Sequence, residues 1–193
     1  MLIGITGKSG SGKTFVAEWL KNKLDADLLL FDQISHEVVA SNSYKLFVRS
    51  NISNDVFDTN QNIDRKKLGE IVFDNKQKLE LINKFAEEKM IEIIDKKLQK
   101  CTKKYIILDY ILLPLMKYFK FCDITILISS DKNTRFERVT AREKISQEYF
   151  EKRDNTSPNF EDYNFDLIFE NNNQANLENL LDQIKEKLCL ENL

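Results

Sequence analysis

Leu2-Ile3-Gly4-Ile5-Thr6-Gly7-Lys8-Ser9-Gly10-Ser11-Gly12-Lys13-Thr14 sets a complete GxxxxGKS/T loop directly after a short apolar run. Four of the five glycines in the chain fall between Gly4 and Gly12, where backbone must approach phosphate closely. In such a loop, successive main-chain N–H groups turn inward to make an anion-binding concavity. The helix that follows aims its unpaired amides and positive dipole end at the same anion. Gly7, Lys8, Ser9, Gly10, Ser11, Gly12, Lys13 and Thr14 are therefore read as the cradle of a nucleoside triphosphate, ATP. Lys13 is placed to reach the β- and γ-phosphate oxygens, and the Thr14 hydroxyl is a candidate ligand for Mg2+, a cation that takes oxygen ligands. The bland alternative, a flexible glycine-serine turn with a surface lysine, is disfavoured because strand, loop and helix occur in the order the motif requires.

Outward from the loop, Leu2 to Thr6 and Asp27 to Phe31 are short apolar segments flanking a helix-like stretch from Thr14 to Leu24, the alternation of a parallel βαβ unit. Tyr105 to Leu108 and Ile124 to Ile128 repeat the pattern, and Phe165 to Phe169 makes a fifth strand. From Gln174 to Leu190, Leu177, Leu180, Leu181, Ile184 and Leu188 recur at helical spacing and predict a closing helix on the sheet. The fold class is α/β, a five-stranded parallel sheet flanked by helices. Between the second and third strands lies a stretch of about 70 residues, read as an insertion and not a crossover. After a polar segment, Ser50 to Asn62, it carries helical periodicity over Arg65 to Phe73 and Gln77 to Leu98. A helical lobe beside such a sheet is suited to hold a second substrate, or it is a purely structural hairpin.

A chain of 193 residues accommodates one well-buried core with a small insertion. Twenty-nine basic and 31 acidic residues give a net charge of −2, which provides no global attraction to nucleic acid or an anionic membrane. Cys101, Cys122 and Cys189 are widely spaced and lack metal-ligand spacing, so they read as reduced thiols with a packing role. Gly4, Thr6 and Gly7 interrupt the first apolar segment, and Asp109 interrupts the longest later one, Tyr105 to Met116. Neither suits a signal peptide or a bilayer span, and a cytoplasmic location is expected.

Three further positions carry chemistry by their place in this scheme. Asp32 follows the second strand, and in open parallel sheets ligands gather at the carboxyl ends of strands. It is a candidate base for an attacking hydroxyl or, alternatively, the N-cap of a helix beginning near Ile34. His36, the single histidine, shares its helical face and either touches substrate or is structural. Asp109 ends an Ile-Ile-Leu strand, where it either faces a metal or binds strand-end amides.

Arg138 and Arg142 lie four apart on a helix predicted from Asp131, so both side chains emerge on one face about 6 Å apart along the axis. Two guanidinium forks so spaced can clamp one triphosphate, and the segment from Arg142 to Arg153 then reads as a closing lid. The alternative is a solvated helix laced with Glu-Arg pairs.

Asp32-x-Ile34-x-His36-x-Val38 after the loop, followed by Ile63-Asp64-Arg65-x-x-Leu68-x-x-Ile71-Val72-Phe73, resembles the signature blocks of the dephospho-coenzyme A kinase family. Asp109-x-x-Leu112-Leu113, the Arg138 and Arg142 pair and the Asp166 to Asn172 block keep the same register to the end of the chain. The resemblance implies a P-loop kinase that phosphorylates the ribose 3′-hydroxyl of dephospho-coenzyme A with ATP, closing coenzyme A synthesis. It implies that Asp32 is the base and that Arg65 helps bind the acceptor, although Arg65 could instead pair with Asp64 or Glu70. Residues 1–193 then form one kinase domain with a core of 1–45 and 101–193, a helical acceptor lobe of about 46–100 and a lid of about 142–157.

The chain departs from the family pattern in particular places. Leu30 replaces the first acid of an Asp-Ala-Asp, Ile111-Leu112-Leu113-Pro114-Leu115 replaces Pro-Leu-Leu-x-Glu, and Glu87-Glu88 stands for a His-Pro pair. These changes bear on the acceptor and leave the phosphate chemistry alone. In the loop, Lys8 and Ser9 stand where the family has Gly-Ile, which adds a positive charge. A nucleoside or nucleotide kinase is the rival reading. A P-loop switch is a third, but Asn83-Lys84-Phe85-Ala86 lacks the acid of a guanine-reading NKxD, and no LSGGQ-like segment occurs.

Overall fold

The computed structural model describes residues 1–172 and 176–188; Cys189, Leu190 and Gln174 of the readings above lie outside the described residues. In chain order the elements are β1 (Leu2–Thr6), α1 (Lys13–Leu24), β2 (Asp27–Leu30), α2 (Phe31–Ala40), α3 (Asn42–Asn51), α4 (Arg65–Phe73) and α5 (Lys76–Leu98). There follow β3 (Ile106–Asp109), β4 (Ile124–Ser129), α6 (Lys132–Glu143), α7 (Gln147–Asn155), β5 (Leu167–Glu170) and α8 (Leu177–Lys187). The chain divides into two compact units, residues 1–30 with 101–193, and residues 31–100.

The first unit is built on a parallel sheet of five strands in the order β2-β3-β1-β4-β5. Its inner strands, β1, β3 and β4, are rich in Ile and Leu and buried at successive positions, because both of their faces are covered and alternating polar residues are not needed. Val16, Ala17, Leu20 and Leu24 of α1, Leu180, Leu181 and Ile184 of α8, and Ile3, Ile5, Ile107, Ile124 and Ile126 of the strands belong to one buried cluster. Asp131 caps α6 by accepting from the Thr134 amide at 2.9 Å, so the helix starts where its sequence marks it. Across β4 and β5, Asp166 Oδ2 accepts from both the amide and the hydroxyl of Thr125 at 2.8 Å, tying the start of the last strand to its neighbour.

The second unit is helical. Helix α5 packs against α2, α3 and α4. Ile34 and Val38 of α2, Tyr44 and Val48 of α3, Val72 of α4 and Ile82, Met90 and Ile94 of α5 are buried. The rings of Phe47 and Phe85 stack at 3.9 Å. Ser41, Asp64 and Asn75 each cap a helix through a side-chain oxygen, which explains three sharp starts in a segment with almost no glycine.

Two sequence expectations are corrected here. Strand β2 stops at Leu30, and Phe31 opens α2 instead of closing the strand. Asp32 is therefore inside the first helical turn and is not the N-cap of a helix beginning at Ile34. Secondly, β2 and β3 are parallel neighbours, with Leu30 in register with Asp109. Parallel neighbours need a crossover, so the helical segment is itself the β2 to β3 crossover, enlarged, and not an insertion separate from one.

Candidate active site

Strand β1 lies between β3 and β4, so the strand order reverses at β1, and a crevice opens at the carboxyl ends on either side of it. The phosphate loop leaves β1 at this point. Gly10 and Gly12 have φ of 82° and 85°, a left-handed backbone that side chains resist. Space forbids a side chain as well: a Cβ on Gly12 would sit 2.2 Å from Asn171 Nδ2, and one on Gly10 would sit 2.5 Å from the Arg135 carbonyl. The loop closes through Ser11 N–H donating to the Lys8 carbonyl at 3.1 Å, and α1 begins at Lys13, which leaves its first amides facing the loop's concavity.

The Thr14 hydroxyl donates to Asp109 Oδ2 at 2.6 Å. Register explains the meeting, because Asp109 pairs with Ile5 and so ends its strand beside the point where the loop departs. Asp109 is 3 % exposed. The two oxygens lie side by side where the loop passes the end of β3. The Lys13 side chain is half-buried and has no carboxylate within ion-pairing distance among the described residues.

Helix α6 brings two arginines to the loop. Arg138 donates to the Asn171 carbonyl at 2.9 Å and to the Gly10 carbonyl at 3.4 Å. Arg135 is 6 % exposed and makes a two-pronged pair with Asp154 of α7, at 2.5 and 3.2 Å, while also reaching the Ser130 and Ser9 carbonyls at 3.2 and 3.5 Å. Lys8 Nζ lies 3.4 Å from the same Asp154 carboxylate. Burial alone would push Asp154 up, but the Arg135 hydrogen bonds and charge, with Lys8 adding to them, hold it below the usual carboxylate range. Arg142 instead pairs with its neighbour Glu143, which also accepts from Arg153 at 2.5 Å.

Of the residues marked by sequence, Lys13, Thr14, Asp109 and Arg138 thus come together around the loop, and Arg142 is turned to Glu143. Asn171, Arg135 and Asp154 complete the surroundings; none was named as a site residue, although Asn171 lies in the Asp166 to Asn172 block and Asp154 in the segment read as a lid. Asn171 Nδ2 donates to the Ser11 carbonyl at 2.8 Å, its own amide donates to Ser129 O at 2.8 Å, and it is 8 % exposed. Its place after β5, at a strand's carboxyl end, was the available signal.

In the helical unit, Asp32 and His36 are exposed one turn apart on α2, opposite its buried Phe31, Ile34 and Val38. Arg65 opens α4 just after the Asp64 cap. Together with Lys45, Asn62, Val39, Ala40 and Ile63 it lines a depression of about 260 Å3. The Lys45 ammonium donates to Asn62 Oδ1 at 2.9 Å, which holds its charge at the rim of that depression.

A family model for dephospho-CoA kinase matches residues 1–176. A dephospho-CoA kinase of Fusobacterium nucleatum subsp. nucleatum is 36% identical over 195 residues, covering 98% of this chain and 97% of its own. One from Dehalococcoides mccartyi is 31% identical over 150 residues, covering 76% of this chain and 75% of its own. Among solved structures, TT1252 from Thermus thermophilus superposes with a TM-score of 0.80 at 22% identity, covering 97% of each chain. The dephospho-CoA kinase from Campylobacter jejuni gives 0.54 at 23% identity, covering 98% of this chain and 94% of its own, and a shikimate kinase from Bacteroides thetaiotaomicron gives 0.55 at 13% identity, covering 98% of this chain and 99% of its own. These structural likenesses support the P-loop kinase fold. Matched to the family model over residues 1–176 and to a relative over 98% of its length, the chain belongs to the dephospho-coenzyme A kinase family.

Proposed function

We propose that the chain carries out the reaction of its family, transfer of the terminal phosphoryl group of ATP to the ribose 3′-hydroxyl of dephospho-coenzyme A, the last step of coenzyme A biosynthesis. The observation that carries this reading is the intact phosphate site, Lys13 beside the Thr14 to Asp109 pair, in a chain matched to the family model over residues 1–176.

The loop amides of residues 7–14 and the α1 amides hold the β- and γ-phosphates, and Lys13 follows the charge that gathers on the oxygens between them as the phosphoryl group leaves. Arg138, anchored on Gly10 and Asn171, lies at the loop with donors for the same phosphates. Arg142 is the second arm of the clamp, and it becomes available when its pair with Glu143 opens. Asp32 accepts the hydroxyl proton, the new bond forms between the 3′-oxygen and the γ-phosphorus, and the bond from that phosphorus to the β,γ-bridging oxygen breaks to release ADP. Arg65 and Lys45 give the helical unit two cations beside one depression, suited to the acceptor's diphosphate, and His36 is a further contact on the Asp32 face. Residues 142–157 act as the lid.

Mg2+ fits this site because the Thr14 hydroxyl and the Asp109 carboxylate offer two hard oxygen donors side by side. Bound there, it would neutralise charge on the β- and γ-phosphate oxygens. No described helix is long and apolar enough to cross a membrane; a cytoplasmic setting is part of the proposal, in keeping with small, charged substrates.

The test is an acceptor screen with ATP. Dephospho-coenzyme A should be consumed, with ADP and coenzyme A formed in equal amounts. Turnover of nucleosides or nucleoside monophosphates alone would assign the rival kinase reading, and strong ATP hydrolysis with no acceptor would assign a switch.

A further inference from the structure

Lys8 carries the charge that departs from the family's loop, and its partner is Asp154 in the lid region. The same carboxylate grips Arg135, so a single buried anion joins the phosphate loop, α6 and α7. Three observations show that this junction acts on the loop. Arg135 reaches the Ser9 carbonyl, and its own main chain is packed so closely on Gly10 that a Cβ there would lie 2.9 Å from Arg135 Cα. An open cleft of about 200 Å3 is lined by Lys8, Ser11, Ile128, Ser130, Arg135 and Phe160, so the loop is not closely packed on that side. The buried Ser11 hydroxyl beside it has no hydrogen-bond partner among the described residues, so it adds no restraint to those of Lys8 and Arg135 there.

On α7 the junction is reinforced one turn earlier. Phe150 meets Phe136 edge-on at 5.3 Å, and the Arg135 guanidinium sits 5.7 Å from the Phe150 ring. Phe150 and Asp154 are four apart and therefore share a helical face. Any displacement of α7 that withdraws Asp154 must release Arg135 and Lys8 together.

We propose that Asp154 is a positioning residue for ATP: by holding Arg135 and drawing Lys8 to the rear of the loop, it fixes the Lys8–Gly10 backbone that presents amides to phosphate, and it couples that shape to the docking of α7. Lys8 then serves the loop's geometry, and Lys13 is the loop lysine that serves the phosphates. The inference rests on the reading that the loop binds ATP. It concerns binding common to ground and transition states, so its loss raises Kd and KM for ATP with kcat nearly unchanged.

The test is ATP affinity by titration calorimetry without acceptor, together with steady-state kinetics. Asp154→Asn should raise Kd for ATP by roughly tenfold, the effect of one charge-assisted hydrogen bond, and Asp154→Glu should recover part of it. Because Asp154→Asn leaves Arg135 buried with a weakened partner, the apolar pair R135M/D154L is measured beside it. That variant should regain the melting temperature and keep the raised Kd. Return of ATP affinity along with stability would overturn the proposal, as would wild-type affinity in Asp154→Asn. Lys8→Met should weaken ATP in the wild-type background and do so no further in Asp154→Asn; an equal loss in both backgrounds would place Lys8 directly on phosphate and overturn the link. Failure of the wild-type protein to bind ATP would instead remove the kinase reading itself.

Discussion

The Thr14 hydroxyl donates a 2.6 Å hydrogen bond to Asp109 Oδ2, joining the first turn of α1 to the carboxyl end of β3 across 95 positions of sequence. This pairing sets two oxygen donors where the loop meets the sheet. Removing either should reduce the affinity for Mg2+ by roughly 10–100-fold, the usual cost of a lost ligand-orienting contact. Activity measured against Mg2+ concentration should show Thr14→Ala and Asp109→Asn needing more cation, with partial recovery at saturation. Curves that superpose on the wild type would assign the pair a structural role.

Lys13 differs from Thr14 in acting on charge that grows during transfer. Replacing it with Ala should lower kcat by roughly 10²–10³, the range for removal of one preorganised donor at a transition state. The fold should be unaffected, because no ion pair among the described residues depends on it. Single-turnover kinetics with a melting curve checks both points, and unchanged phosphoryl transfer would remove Lys13 from the chemistry.

Gly12 links loop and helix with φ of 85°, and its missing side chain leaves room for Asn171. Gly12→Ala has to displace the Asn171 amide and thus its hydrogen bond to the Ser11 carbonyl. It should weaken ATP binding by at least tenfold, since backbone strain and the lost contact each cost about 1–3 kcal/mol. Asn171→Ala, which removes the obstruction, should rescue part of the Gly12→Ala defect. The double mutant therefore separates clash from strain.

The phosphate loop was legible because its glycines, lysine and threonine are contiguous and their roles follow from backbone geometry. Helix α6 was equally plain, since Asp131 is a strong N-cap ahead of a periodic run. Phe31 was misread because an apolar residue continuing Leu28-Leu29-Leu30 has the same local appearance in a buried strand and on the buried face of a helix. The crossover was misread because segment length reveals an enlargement, while strand adjacency is decided by long-range pairing such as Leu30 with Asp109. Arg135 and Asp154 were invisible for a related reason. They belong to different helices, and only the turn between α6 and α7 makes them a pair. Their sequence neighbours suggest solvated charge, and their burial is a property of the folded chain.

Asp32 tests the acceptor side. Exposed in the first turn of α2, it has no capping duty whose loss would unfold the helix. Asp32→Asn should therefore keep ATP affinity and the melting temperature while kcat falls by roughly 10²–10⁴, the range for loss of a general base. Equal loss of ATP affinity would point to a metal or structural role.

Acid stability tests the buried junction through its titration. The Asp154 pKa is lowered in the folded protein, with burial opposed and outweighed by Arg135 and Lys8. A carboxyl whose folded pKa lies below its unfolded value contributes stability above the unfolded value, about 3.9 for aspartate, and loses it as pH falls through the folded one. The wild-type protein should accordingly melt at a higher temperature than Asp154→Asn near neutral pH, and the gap should close as pH falls below about 4. Glu143, lowered by Arg142 and Arg153 against its own burial, contributes to acid destabilisation in both proteins and cancels from the comparison. Melting temperatures from pH 7 downward measure the gap. A gap independent of pH would mean that Asp154 stabilises by shape and not by its charge.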